Sequence, residues 1–141
     1  MVEYSYPVVQ TVEQDENVLF FNGDRACRKG LVVHNDSSGL FRLRGAGNTC
    51  KTVYKVQFTA NIAIAAGGTV EPISVALVSN GEVIRNAVAT VTPASSQFFN
   101  VTISTFIPVI CGCCESIAVK NISDTTAIDV INANLIIDRV A

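Results

Sequence analysis

The sequence has little charge, a single histidine and no tryptophan. Asp, Glu, Lys and Arg together make up 16% of the 141 residues, and the formal net charge is −2. A nucleic-acid-binding surface needs a concentration of basic side chains, so this balance argues against a nucleic-acid partner. The lone histidine, His34, excludes a metal site built from several histidines. The absence of tryptophan removes a side chain on which carbohydrate-binding modules usually stack sugars.

The sequence also lacks the arrangements that nucleophilic enzymes use. No Gly-x-Ser-x-Gly segment is present, and no glycine-rich loop precedes a helix where it could hold phosphate. His34 has Asp36 and two serines close by in sequence, but neighbours along one turn rarely adopt the geometry of a catalytic triad. We therefore expect no catalytic residue and no cofactor.

Long apolar runs are missing as well. No stretch approaches the roughly 18 apolar residues of a membrane-spanning helix, so we expect no membrane partner. Residues 1–7 do not combine a basic region with an apolar segment, as a signal peptide would. We expect synthesis in the cytoplasm without a signal peptide, so any export would need lysis, a particle or a non-classical route.

Short alternating runs of apolar and polar residues fill the chain instead. Tyr54, Val56, Phe58 and Ala60 point to one side while the residues between them point to the other. A period of two is typical of a strand with one buried face, and no sustained helical period occurs. The pattern predicts an all-β chain of about ten strands, at a spacing typical of sandwiches and barrels. The predicted strands cover residues 7–12, 18–21, 31–34, 40–44, 52–64, 73–79, 83–91, 98–109, 116–121 and 127–140.

Turn signals separate these strands, and no linker or repeat divides the chain. Asn80-Gly81, between two apolar runs, is the strongest two-residue hairpin signal. Residues 35–39 predict a second hairpin between the strands on either side of them. We interpret residues 1–141 as a single domain.

High hydropathy accompanies the low charge. Apolar residues make up 49% of the chain and the mean hydropathy is +0.39. Either some apolar surface is covered by another copy of the chain, or the protein is an unusually apolar monomeric sandwich. The run Leu135-Ile136-Ile137 predicts a last strand that lies centrally in its sheet or against another subunit.

Three segments in order resemble a known superfamily. Residues 54–61 have the form aromatic-x-x-x-Phe-x-Ala-Asn, residues 75–81 form an aliphatic strand ending in Asn-Gly, and residues 132–140 resemble a closing strand. The chain thereby resembles the tumour necrosis factor and complement globular-head superfamily, in its short bacterial and phage form. Residues 50–141 carry the match, and residues 1–49 fit the early strands more loosely.

The resemblance implies an antiparallel jelly-roll β-sandwich that forms a tight homotrimer. It also implies a structural role in a phage particle, as a fibre or decoration protein, or in a bacterial surface or spore appendage. Partners would be the chain itself and other virion or surface-layer proteins. We predict that the trimer interface contains Tyr54, Phe58, Phe99, Phe106, Leu135 and Ile137.

The cysteines leave several interpretations open. They could be free thiols, form disulfides, cross-link subunits, or hold zinc if an early cysteine approached the later group. The residues concerned are Cys27, Cys50, Cys111, Cys113 and Cys114.

Two charged clusters are also ambiguous. Glu13, Asp15 and Glu16 indicate a solvated turn or a weak calcium site. The basic cluster indicates a solvated loop or a site for phosphate or an acidic glycan. It supports an alternative function, a trimeric module that binds a cell-surface glycan or protein receptor through Arg25, Arg28, Arg42 and Arg44.

Overall fold

Eleven β-strands and no helix occupy the part of the chain that the computed structural model describes, residues 2–22, 31–45, 50–94, 96–110, 114–124 and 126–141. The all-β prediction is confirmed. The strands are β1 (Val2–Tyr6), β2 (Gln10–Val12), β3 (Phe21–Asn22), β4 (Val32–His34), β5 (Phe41–Arg44), β6 (Lys51–Ile64), β7 (Ile73–Ser79), β8 (Glu82–Val91), β9 (Phe99–Ile110), β10 (Cys114–Asn121) and β11 (Ile128–Arg139).

The strands form two antiparallel sheets that pack together as a β-sandwich. The six-stranded sheet has the order β3-β1-β11-β6-β9, with β2 paired to β11 as well. The five-stranded sheet has the order β4-β5-β10-β7-β8. As the sequence predicted, β11 lies inside its sheet, between β1 and β6.

Four of the strand pairs are nested within one another along the chain, and the pairs β6–β11 and β7–β10 join them side by side within the two sheets. The outermost pair joins β1 to β11, the next joins β5 to β10, and the next joins β6 to β9. The innermost pair is the hairpin of β7 and β8. Asn80 and Gly81 at its tip have φ values of +50° and +85°, as the two central residues of a type I′ turn require, so the predicted hairpin is confirmed.

The core lies between the sheets and is built from alternate residues of each strand. Along β6, Tyr54, Val56, Phe58, Ala60 and Ile62 are all almost completely buried. An aromatic pair from the early part of the chain lies in the same core, with the rings of Phe20 and Phe41 5.5 Å apart edge to face. Each such side chain contributes about 1.5–3 kcal/mol by leaving water, so the inward half of the alternation carries most of the folding energy.

The N-terminal segment differs from the prediction of one strand over residues 7–12. The first strand is β1, whose Val2 and Tyr4 enter the core opposite Ile137 and Leu135. Pro7 follows β1 and has no N–H to donate to a ladder. The adjacent valines that suggested a strand, Val8 and Val9, are exposed in the connection between β1 and β2.

Candidate subunit interface

The outer face of the six-stranded sheet carries an uncharged patch that crosses three neighbouring strands. Gln57 of β6 lies opposite Ser104 on one side and Ile136 on the other, and Thr59 and Asn61 continue the patch in the same way. We call this patch the neutral face. It consists of Gln57, Thr59, Asn61, Asn100, Thr102, Ser104, Ile131, Asn134 and Ile136.

Alternation and one β-bulge place these side chains outward. Their neighbours along β6 and β9 point into the core. In β11 the pairing shifts between Ile131 and Asn134, and Asn132 within the shift has a φ of +56°. The bulge adds a residue and returns Asn134 to the outer face. Depletion of charge marks the centre of protein–protein interfaces, so the neutral face is the surface of this sheet best suited to contact with another chain.

One buried polar atom of the neutral face lacks a hydrogen-bond partner in the described part of the chain. The Nδ2 of Asn100 donates to the Oδ1 of Asn61 at 3.1 Å. The Oδ1 of Asn134 is buried, yet it accepts no hydrogen bond from the described part of the chain. Leaving a buried acceptor unsatisfied costs about 1–3 kcal/mol.

An apolar stripe borders the neutral face along β9, the edge strand. Phe106 is 63% exposed and Ile110 is 64% exposed, with the exposed Pro108 between them. All three point to the same side as the neutral face. On β6, Lys51 lies opposite Ile110 and Lys55 lies opposite Phe106. The charged side chains therefore begin beyond the edge of the neutral face.

Four of the six side chains predicted for the trimer interface lie in the core instead: Tyr54, Phe58, Leu135 and Ile137 are at most 1% exposed. They occupy the inward half of the alternation, where large apolar side chains pack within their own sandwich first. That part of the prediction is therefore corrected.

Tyr54 is held in the core by a hydrogen bond, whereas Phe99 and Phe106 are exposed. The hydroxyl of Tyr54 donates to the carbonyl of Arg44 at 2.6 Å, and burial raises the pKa of that hydroxyl while nearby Arg139 lowers it. Phe99 and Phe106 are exposed at 41% and 63%. Sequence reasoning missed the neutral face because it followed the apolar half of the β6 pattern, although the uncharged polar half was equally visible.

Two of the four predicted binding arginines, Arg25 and Arg28, lie outside the described residues. Arg42 and Arg44 lie on β5, a strand rather than a loop, and are exposed on the outer face of the five-stranded sheet. Arg42 lines a cavity of about 310 Å³, whose other walls are Val33, Asn35, Ser38, Leu40 and Ser116.

The other candidate sites are not assembled in the described part of the chain. Cys27, Cys111 and Cys113 fall outside it, and Cys50 and Cys114 are exposed at strand ends. No cluster of three or more His, Cys, Asp or Glu side chains within it is arranged to hold a metal ion. None of its segments is a helix of the length and apolarity that crossing a membrane requires.

His34 of β4 contacts both Asn22 of β3 and Ser38 in the turn that follows β4. Its Nδ1 lies 2.5 Å from the Oδ1 of Asn22, and its Nε2 lies 2.7 Å from the carbonyl oxygen of Ser38. The ring stacks on Phe41 with 4.2 Å between centroids. Burial lowers the pKa of His34, while the Ser38 carbonyl and the nearby Asp36 oppose that shift.

This shift predicts a loss of stability in mild acid. A lowered pKa means that the folded protein binds a proton less readily than the unfolded chain, whose histidine titrates near 6.5. The contribution of His34 is therefore complete above that value and is lost as the pH falls through the lowered pKa. Urea unfolding at several pH values should show a decline that His34→Gln reduces. An unchanged pH dependence in the variant would contradict the assignment.

Comparison with known proteins gives no family for this chain. No protein-family model matches it, and no curated protein matches it.

Proposed function

We propose that this protein is a non-enzymatic structural subunit that assembles as a homotrimer through the outer face of its six-stranded sheet. The observation that carries the proposal is the neutral face, nine adjacent outward side chains without a charge. The setting that we propose is a phage particle, as a fibre or decoration protein, or a bacterial surface or spore appendage. The sequence resemblance described above supports that setting.

The strand pairing supports a jelly-roll topology as part of this proposal. A jelly roll is a double-sheet fold of two Greek keys, which results when a long double strand wraps around a core. The nested pairs β1–β11, β5–β10, β6–β9 and β7–β8 follow from such wrapping. The pairs alternate between the two sheets, as successive segments of a wrapped double strand do.

The proposed contact has an uncharged centre and an apolar edge. In a closed ring of three, each copy uses two different surfaces, so the stripe of Phe106, Pro108 and Ile110 would pack against the neutral face of the next copy. A stable, obligate contact buries on the order of 2,000 Å² or more in total, which needs most of this sheet face.

Light scattering combined with size exclusion tests the assembly. The natural chain should elute with the mass of three 15.0 kDa chains. Phe106→Asp should shift the mass to that of one chain at micromolar concentration, because the carboxylate would have to be desolvated in the contact. The matched control is Leu40→Asp, which places the same charge at a 53% exposed site on the opposite sheet and should leave the trimer intact.

Circular dichroism shows whether both variants keep their β-structure. A natural chain that stays a folded monomer at high concentration would overturn the trimer. A Phe106→Asp variant that remains trimeric would overturn the assignment of the contact to this face.

A further inference from the structure

We propose that the cavity centred on Arg42 binds a single sugar ring that carries a carboxylate. The cavity lies on the five-stranded sheet, opposite the proposed subunit contact, and its walls come from one chain. This inference goes beyond the structural role, because it does not require the trimer.

Strand register fixes the floor of the cavity. Val33 of β4, Arg42 of β5 and Ser116 of β10 lie in one row across three strands. Phe41 and Leu43, on either side of Arg42, are fully buried, so the guanidinium projects from the outer face. A row held by three paired strands keeps its side chains at fixed separations, which favours binding without rearrangement.

The walls provide both kinds of contact that a sugar needs. Asn35, Ser38 and Ser116 offer an amide and two hydroxyl groups. The Oγ of Ser38 accepts a hydrogen bond from the N–H of Leu40 at 3.1 Å, which leaves its own proton to donate. Val33 and Leu40 expose 40% and 53% of their surfaces, and they supply an apolar wall for the C–H groups of a ring.

The positive charge of Arg42 favours an anionic ligand in the cavity. Arg42 offers a planar set of N–H donors that matches both oxygens of a carboxylate. Among the described residues that line the cavity, none is acidic. Two carboxylates nearby in sequence are held by groups outside the cavity: Asp36 accepts from the N–H of Asn22, and Glu115 accepts from Ser79 and Asn80.

A second positive charge lies close to the first. Arg44 follows two residues later on the same face, which places its Cα about 7 Å along the strand. It does not line the cavity, but it raises the local positive potential and so favours the approach of an anion.

Backbone contacts hold the walls in place. The carbonyl of Ser38 contacts the ring of His34, and the N–H of Ser116 donates to the Oδ1 of Asn80 at 2.9 Å. The volume of about 310 Å³ is at the lower end of the range for small-ligand sites, which suits one ring rather than an oligosaccharide.

Ligand-observed NMR on the full-length chain tests the proposal with three probes: D-glucuronate, D-glucose and D-glucose 6-phosphate. Weak binding of one small polar ring calls for probes at about 10 mM. We expect saturation transfer to glucuronate and at least about tenfold weaker binding of glucose, because glucose lacks the group that pairs with the guanidinium.

Two variants locate the site. Arg42→Gln should weaken glucuronate binding at least about tenfold, while Arg44→Gln, on the same strand and face, should change it by no more than about threefold. Light scattering on the same samples reports the oligomeric state separately, so failure of the sugar site and failure of the trimer are distinguishable.

Four results would overturn the proposal. The first is the absence of glucuronate binding. The second is equal binding of glucose and glucuronate. The third is glucuronate binding that Arg42→Gln leaves unchanged. The fourth is glucose 6-phosphate binding more tightly than glucuronate through Arg42, which would assign the cavity to phosphate rather than to a carboxylate.

Discussion

Replacing Phe58 with alanine should lower the free energy of unfolding by about 3–5 kcal/mol. Phe58 is completely buried in the middle of β6, opposite Leu135 of β11 and Ile103 of β9. Its ring lies 6.2 Å from that of Phe20, edge to face. Because neighbours on both sides are held by their own ladders, the structure cannot collapse into the space that the ring leaves. Urea denaturation at one protein concentration measures the loss.

Phe106→Ala is the matched control for this change. Phe106 is 63% exposed on the neighbouring strand, so its truncation leaves no internal cavity and should cost the single chain less than about 1 kcal/mol. Comparing the two variants also distinguishes a loss of core packing from a loss of contact between copies. Phe58→Ala should destabilise the fold at every protein concentration, whereas the effect of Phe106→Ala should depend on concentration. A small, concentration-dependent effect of Phe58→Ala would contradict the core position and would indicate that Phe58 lies in the subunit interface.

Replacing Asn121 with alanine should cost about 3–5 kcal/mol, although Asn121 is polar. Its side chain is fully buried and makes three hydrogen bonds to the backbone. The Nδ2 donates to the carbonyls of Val12 and Thr126, both at 3.0 Å, and the Oδ1 accepts from the N–H of Ser123 at 3.0 Å. Alanine would leave three backbone groups without partners in the interior.

Thermal or urea unfolding of Asn121→Ala beside Asn86→Ala checks this prediction. Asn86 is exposed on β8, so its replacement should change stability by less than about 0.5 kcal/mol. Asn121→Asp is the sharper variant, since a carboxylate cannot donate to the two carbonyls. If Asn121→Ala were as stable as Asn86→Ala, water would have to satisfy the three groups, and the side chain would not link β2 to β10.

Most of the fold could be predicted from local signals. The alternation along β6 identifies both the strand and its buried side, because a period of two needs no knowledge of distant residues. Asn80-Gly81 identifies the tip of a hairpin for the same reason. The first strand was missed because Val2 and Tyr4 show their burial only once β11 lies beside them. The adjacent valines after Pro7 gave a stronger local signal that proved misleading.

The candidate sites were harder to predict, because they depend on pairing across the chain. Arg42 was identified from a cluster of basic residues. Ser116 joins it only through the register of β10 on β5. The neutral face likewise combines residues of β6, β9 and β11, and its lack of charge is apparent only when those strands lie side by side. Alternation assigns Tyr54 and Phe58 to the apolar side of β6, and the mistake was to place that side between chains.

The pairing of β1 with β11 has a consequence for biosynthesis. Val2 pairs with Ile137, so β1 cannot complete this part of the sheet until β11 has been synthesised. Strands this far apart in sequence find each other slowly, because closing a long loop costs entropy and folding rates fall as contacts become less local. Until β11 has been synthesised, β6 and its apolar side lack one neighbouring strand. During that interval the exposed apolar side and the unpaired edge of β6 make the nascent chain prone to aggregation.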